Sequence, residues 1–137
     1  MSDIPVALRA EVVSRAGNRC EYCQLSQLGQ EAAFHVDHVV PRAAGGPTEL
    51  GNLALACVSC SLRKWANQTA VDPDTEEDVA LYSPRSQAWG EHFRWEGAIV
   101  SPLSAMGRAT AAALAMNRPL IVSIRLEETA RGRHPPT

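Results

Sequence analysis

Four cysteines and one Asp-His pair carry the chemistry that can be read directly from this chain. The cysteines form two Cys-x-x-Cys pairs, Cys20-Glu21-Tyr22-Cys23 and Cys57-Val58-Ser59-Cys60, and none is left over. Between them run His35-Val36-Asp37-His38-Val39-Val40-Pro41, then Gly45-Gly46, then Asn52-Leu53. A two-residue gap lets both thiolates of a tight turn face one ion. Two such knuckles supply the four-sulfur tetrahedron that Zn²⁺ prefers, so Cys20, Cys23, Cys57 and Cys60 are expected to hold a structural zinc. The alternatives are two disulfides, a redox Cys-x-x-Cys, or buried thiols without a metal. Disulfides require an oxidising compartment, and residues 1–30 show no basic start followed by an apolar run; the expected location is cytoplasmic. Residues 17–31 carry few apolar side chains, so a metal staple would also be useful there.

Phosphodiester hydrolysis needs a nucleophilic water, a base to deprotonate it, and positive charge on the developing oxyanion and the leaving oxygen. Asp37 offers a hard oxygen ligand for Mg²⁺, Mn²⁺ or a similar ion. His38 is the expected general base, because an imidazole is largely neutral at cytoplasmic pH. Their side chains point to opposite faces of a strand unless the strand ends or bends there, and Pro41 with the Gly-rich loop makes a bend plausible. Asn52 cannot act as a base, but its amide can tie backbone groups across the loop and fix His38. Position 61 opens a helix facing the strands, where a second metal ligand would be needed. Arg42, Arg63 and Lys64 flank this centre and can bind phosphate or offset the net −2 of a zinc–tetrathiolate site. His35 shares a strand face with Asp37 and is either a further ligand or a half-exposed strand residue.

These residues must be positioned by short elements. Ser2 or Asp3 can cap a helix beginning near Pro5, with Leu8, Val12 and Ala16 on one face and Gly17 as its stop. Ala32 to Val40 alternates as a strand ended by Pro41, and Leu53 to Ala56 reads as a second strand. Residues 42–51 form a loop with one helical turn after Thr48. A helix starting at Ser59 or Ser61 runs to about Gln68. Further on, Asp72-Pro73 and Ser83-Pro84 are turn signals within an acidic stretch. His92–Trp95 and Ala98–Leu103 can pair around Glu96-Gly97. Arg108 to Met116 and Pro119 to about Ala130 read as helices, the latter with Leu120, Ile121 and Ile124 on one face.

The stretch from Cys20 to Lys64 resembles the HNH endonuclease family, whose core is called the ββα-metal or His-Me finger. The residues that carry the resemblance are Cys20-x-x-Cys23, Val36-Asp37-His38-Val39-Val40-Pro41, Gly45-Gly46, Asn52-Leu53, Cys57-x-x-Cys60 and Lys64. The flanks are similar to one bacterial branch of it, through Arg15-Ala16-Gly17-Asn18-Arg19 before and His92-Phe93-Arg94-Trp95 and Gly107-Arg108-Ala109-Thr110 after. The resemblance implies a small α+β, treble-clef-like core stapled by the four-cysteine zinc site, with an N-terminal helix and a C-terminal hairpin plus helices. It implies metal-dependent hydrolysis of DNA that leaves 5′-phosphate and 3′-hydroxyl ends, with Asp37 on the metal, His38 activating water and Asn52 orienting the loop. The family usually places Asn or His directly after the last cysteine as the second ligand; here that residue is Ser61. Trp65 stands where small residues are common.

Composition sets the remaining bounds. The 137 residues have 45% hydrophobic content and a net charge of −2, so no global polycationic character argues for nucleic acid. No apolar run approaches the length of a membrane span. Twelve of the thirteen basic residues are Arg, the type suited to bidentate phosphate contacts, and Arg108, Arg118, Arg125, Arg131 and Arg133 lie in the last third; they read equally as phosphate contacts or as solvated helix faces. The expected organisation is a nuclease core over 1–70, an acidic linker over 71–84, a hairpin and helical appendage over 85–130, and a frayed tail over 131–137. His92, between Trp89 and Trp95, reads as packing, and His134 lies in the tail. DNA is the expected partner and RNA the alternative. The competing function is a non-catalytic zinc-finger module that binds nucleic acid or protein, its metal site degraded at Ser61. A third reading is a disulfide-rich binding domain.

Overall fold

Cys57 sets the local geometry of the first half of the chain by ending a strand and starting a helix at one residue. The structure, a computed structural model, describes residues 4–137, so the cap expected at Ser2 or Asp3 lies outside the described residues. The chain divides into two compact units. One comprises the chain up to Gln68 together with Ser83–Ser86, and the other comprises Thr69–Tyr82 and Gln87–Thr137. The architecture is mixed α+β, with three separate two-stranded antiparallel sheets among the described residues. No described helix is long and apolar enough to cross a membrane.

In the first unit, α1 (Val6–Arg15) follows Pro5, and of its expected apolar face Val12 is fully buried. Two positive-φ residues, Gly17 and Asn18, turn the chain toward the first knuckle. Strand β1 (His35–His38) pairs with β2 (Leu53–Ala56) in the register His35↔Ala56, Asp37↔Ala54 and His38↔Leu53. β1 is shorter than the alternating pattern of 32–40 suggests, and all four residues of β2 are buried. Helix α2 (Val58–Lys64) starts earlier than Ser59, because the Cys57 sulfur accepts the Cys60 N–H at 3.4 Å and caps it. It ends at Lys64 rather than near Gln68, because Trp65 takes φ 45° and cannot continue a right-handed helix.

The second unit replaces the expected acidic linker with a hairpin. β3 (Thr69–Val71) pairs with β4 (Asp78–Ala80). The acidic residues between them stay compact because Asp72 organises the turn. Its carboxylate accepts from Asp74 N at 3.0 Å, Thr75 Oγ1 at 3.2 Å and the Arg108 guanidinium at 2.8 and 3.0 Å. A short helix α3 (Trp89–His92) leads into β5 (Phe93–Glu96), which pairs with β6 (Ile99–Pro102) around the expected Glu96-Gly97 turn. Helix α4 (Ala105–Ala113) starts three residues before Arg108, because the Ser104 hydroxyl caps it by accepting the Gly107 N–H at 3.0 Å. In α5 (Pro119–Ala130) the buried face is Ile121, Arg125 and Glu128, whereas Leu120 is 66% exposed.

That face explains where the C-terminal arginines go. Arg125 lies 5.1 Å over the Trp95 ring and donates to the Ala98 carbonyl at 3.0 Å. Arg133 forks onto Glu128, and Arg108 onto Asp72. Arg125 is internal structure, and Arg108 and Arg133, partly exposed, direct their guanidinium groups at carboxylates of the fold. His134, expected in a frayed tail, is buried edge-on to Trp95 with a centroid distance of 4.5 Å, and its Nε2 donates to the Gly97 carbonyl. His92 packs beside Tyr82 and meets Ser104 Oγ at 2.6 Å.

Arg108 and the turn donors hold the Asp72 carboxyl at about 2, below an unfolded value near ~3.9. A depressed folded value means that the stabilisation is present above the unfolded value and is lost as pH falls through about 2. Asp72→Asn is therefore expected to lower the melting temperature at neutral pH, with the difference from wild type shrinking as pH falls below ~4. Thermal melts across that range check it; a difference independent of pH contradicts it.

Candidate functional site

The four cysteines are all buried and free, and their sulfur atoms lie within 4.8 Å of one another. The first knuckle is closed by hydrogen bonds from Cys20 N to Leu25 O and Gln24 N to Cys20 O, both at 2.9 Å. Glu21 then pins it to β2: its N–H donates to the Leu55 carbonyl and its carboxylate accepts the Leu55 N–H, each at 2.8 Å. Arg85 also pairs with the Glu21 carboxylate. In each knuckle the amide of the second cysteine points at the sulfur of the first, at 3.4 Å. Those amides favour thiolates. The Cys23–Cys57 sulfur separation of 3.7 Å matches the roughly 3.8 Å edge of a tetrahedron with Zn–S bonds of about 2.3 Å. Burial pushes the Cys20 thiol up, and hydrogen sharing with Cys20 and the other sulfurs pushes Cys60 up. Cys57, accepting first from Cys20 and then from the other two, is driven far down. Four sulfurs this close compete for protons unless a cation neutralises them, so the donor set fits a structural zinc and the two knuckles form one candidate metal centre.

Tyr22, between the two cysteines of the first knuckle, is 1% exposed and donates its hydroxyl to Asp37 Oδ2 at 2.7 Å. Lys64, on the last turn of α2, reaches the same carboxylate at 3.1 Å and the His38 carbonyl at 3.2 Å. Asp37 is thus 8% exposed, and burial raises its carboxyl above the ordinary range, opposed by Lys64 and Tyr22. This places Lys64 differently from the sequence expectation. It is 2% exposed, and its ammonium is used by Asp37 and the strand backbone rather than offered to a phosphate. Arg42 and Arg63 are exposed, and Arg63 bonds Ser59 Oγ at 3.1 Å.

The loop between β1 and β2 is clamped by Asn52. Its Oδ1 accepts the Val40 N–H at 2.9 Å, while its amide nitrogen donates to Val40 O at 3.0 Å and Pro47 O at 2.9 Å. The Val39 N–H donates to the Asn52 carbonyl at 2.9 Å. Both residues after His38 are therefore fixed to one asparagine. Gly46 is required in this arrangement, because a Cβ there would sit 1.7 Å from Val40 O and 2.8 Å from the Asn52 amide nitrogen. His38 Nε2 meets Thr48 Oγ1 at 2.8 Å and accepts from Arg42 Nε at 3.3 Å. A guanidinium only donates, so Nε2 carries a lone pair and the ring is neutral. Burial first, and the Arg42 charge second, lower the His38 value below its ordinary one.

His35, Asp37, His38, Arg42, Ser61 and Trp65 all line one cleft of about 780 Å³. Within it Ser61 does not meet Asp37; its hydroxyl pairs with His35 Nδ1 at 2.9 Å. Tyr22 and Thr48 have no chemical signature of their own in the sequence. Tyr22 is visible only as the apolar residue inside a knuckle, and Thr48 only as a hydroxyl in the loop.

Residues 20–66 match the family described as HNH: HNH endonuclease, a stretch that contains both knuckles and everything between them. The resemblance read from Cys20 to Lys64 is borne out over that stretch; the flanking similarities lie outside it. The family points to nuclease or nucleic-acid-binding function. Neither the curated proteins nor the solved structures contain a match.

Two outcomes follow from this geometry. Protein purified without chelators is expected to contain about one Zn²⁺ per chain, and Cys→Ser at any of the four positions should unfold residues 17–65, because such sites contribute on the order of 10 kcal/mol. Elemental analysis finding no zinc contradicts this. Gly46→Ala should cost about 1–3 kcal/mol by forcing the Val40 carbonyl off Asn52, whereas Gly51→Ala, where nothing lies within 4 Å, should be nearly neutral in the same denaturation experiment.

Proposed function

We propose that this chain is a metal-dependent endonuclease that hydrolyses phosphodiester bonds of DNA, with His38 as general base. The observation that carries the reading is a neutral, loop-clamped imidazole in an open cleft, with its Nε2 lone pair beside the Arg42 guanidinium. A phosphate entering the cleft would draw Arg42 onto its oxygens, because guanidinium–phosphate pairs are stronger than guanidinium–imidazole contacts. With the Thr48 hydroxyl, 2.8 Å away, also turned from it, Nε2 can take a proton from a water. The water oxygen bonds to phosphorus as the bond to the 3′ oxygen breaks, and that oxygen takes a proton from solvent water, which leaves 5′-phosphate and 3′-hydroxyl ends. Asn52 acts through the backbone and holds the ring in place. Arg63, exposed on α2, offers a further phosphate contact.

Asp37 is the residue that would hold a divalent cation, Mg²⁺ or Mn²⁺. A carboxylate has about four acceptor positions, and Tyr22 and Lys64 leave capacity on it. When bound, such an ion supplies positive charge to the phosphate oxyanion and the leaving oxygen. Ser61 is a short-reaching neutral ligand, so the requirement should fall in the millimolar range and favour Mn²⁺, which tolerates irregular coordination.

A second reading has its own support. The Asp37–Lys64 pair and the His35–Ser61 contact both occupy donors that a catalytic ion would need. On that reading the chain is a zinc-stapled module that binds nucleic acid or protein without cutting it.

A plasmid-nicking assay separates the two. His38→Ala should lose at least ~10²-fold in nicking rate while zinc content and DNA affinity stay unchanged. Activity close to wild type would move the chemistry elsewhere, with His35 as the first suspect. Ser61→Asn should lower the divalent-metal requirement. Activity that appears only in Ser61→Asn identifies the native protein as a binder.

A further inference from the structure

The end of α2 bears two costs at one residue. Trp65 adopts φ 45° and ψ −123°, a backbone conformation that a bulky side chain rarely takes, and it is 78% exposed to solvent. A glycine would take that backbone geometry without penalty, and any small residue would avoid exposing an indole. The other two tryptophans behave in the ordinary way: Trp89 stacks on Phe93 and Trp95 at about 5 Å, and Trp95 packs on His134. Among the described residues the Trp65 indole has no hydrogen-bond, ion-pair or ring partner to offset that geometry. Strain that packing does not repay is found at sites that use it.

Its position says what that use is. Trp65 lines the same cleft as His38, Arg42 and Ser61, directly after the last residue of α2, and its backbone N–H donates to the Ser61 carbonyl at 2.9 Å. The cleft therefore presents a guanidinium and an imidazole for a phosphodiester, and a flat, exposed aromatic surface for what is attached to it. An indole stacks on a nucleobase only if the base face is open. In a duplex both faces are covered by neighbouring base pairs; in a single strand they are not.

We propose that Trp65 is a nucleobase-stacking residue and that the cleft selects an unpaired nucleotide, so the preferred substrate is single-stranded or locally unpaired DNA. The inference rests on reading the cleft as the nucleic-acid site and adds the structural state of the substrate. Stacking aligns the sugar–phosphate chain so that the adjoining phosphate lies at Arg42 and His38.

The test uses the full zinc-loaded chain carrying His38→Ala, so that no probe is cut. Binding of a short fluorescently labelled single-stranded DNA and of its duplex is followed by anisotropy, for Trp65, Trp65→Phe and Trp65→Gly. Trp65→Gly should lose about tenfold in affinity for the single strand, Trp65→Phe should keep most of it, and duplex binding should be weaker and unmoved. Trp65→Gly should also melt at a higher temperature, because glycine relieves the positive φ; a merely structural indole would give a lower one. Equal single-strand affinity in Trp65→Gly, equal loss on single strand and duplex, or a lowered melting temperature overturns the proposal. The outcome is separable from that of the hydrolytic reading. Trp65-dependent single-strand binding by a protein that nicks nothing leaves this inference standing without the nuclease. Nicking that is indifferent to Trp65→Gly does the reverse.

Discussion

Convergence of the four sulfurs is the constraint on which the first unit depends. Cys20 and Cys23 come from a turn with few apolar side chains, and Cys57 and Cys60 from the junction of β2 and α2. Bringing them together fixes two other residues that touch no sulfur-binding ion. Tyr22 is held between its flanking cysteines and directed at Asp37 of β1. Lys64 is delivered to the same carboxylate because α2 begins at Cys57 and runs for seven residues. The buried carboxylate, phenol and ammonium form a cluster that would be costly if any member were missing, since each satisfies the others out of water. The cysteine centre is thus connected to β1 by hydrogen bonds through Tyr22 and Lys64, with no direct contact needed.

A second clamp acts from the other end of that strand. Asn52 gives one side-chain amide to two carbonyls and its oxygen to one amide, which settles the backbone polar groups on both sides of the Gly-rich loop. Gly46 makes room for that arrangement, and Pro41 is buried beneath it. His38 lies between the clamp and the Lys64 contact to its own carbonyl. Its ring is then tuned by what faces it, Arg42 and Thr48, in an otherwise open cleft. Rigid backbone with a solvent-facing ring suits a group that must meet a large substrate and still hold its orientation.

Much of this was legible in the sequence because the relevant signals are local. The Cys-x-x-Cys spacing, the Asp-His pair before a proline and the glycine pair each encode one turn or one knuckle. What was not legible depends on tertiary partners. Lys64 reads as a phosphate contact or an offset to the charge of the zinc–tetrathiolate site, yet it is buried against an acidic partner and a carbonyl. The run from Asp72 to Asp78 reads as a linker, but Asp72 collects turn amides and Arg108 from thirty-six residues away and folds it into a hairpin. In α5 the apolar pattern named Leu120, Ile121 and Ile124; Ile121 is buried, but Leu120 is exposed and Arg125 and Glu128 complete the buried stripe, because Trp95 and Arg133 supply partners that periodicity cannot reveal. The early start of α2 and its stop at Trp65 likewise follow from a sulfur cap and a positive φ.

The four-cysteine centre organises the strand and loop that hold His38. Amide hydrogen exchange, read residue by residue before and after metal removal with a chelator, reports whether the two are coupled. Coupling predicts that the Val39 and Val40 amides, donated to the Asn52 carbonyl and side chain, lose their protection together with Glu21 and Leu55 when the metal is withdrawn. If Glu21 and Leu55 open while Val39 and Val40 remain protected, the loop clamp stands without the cysteine centre and the claim is contradicted.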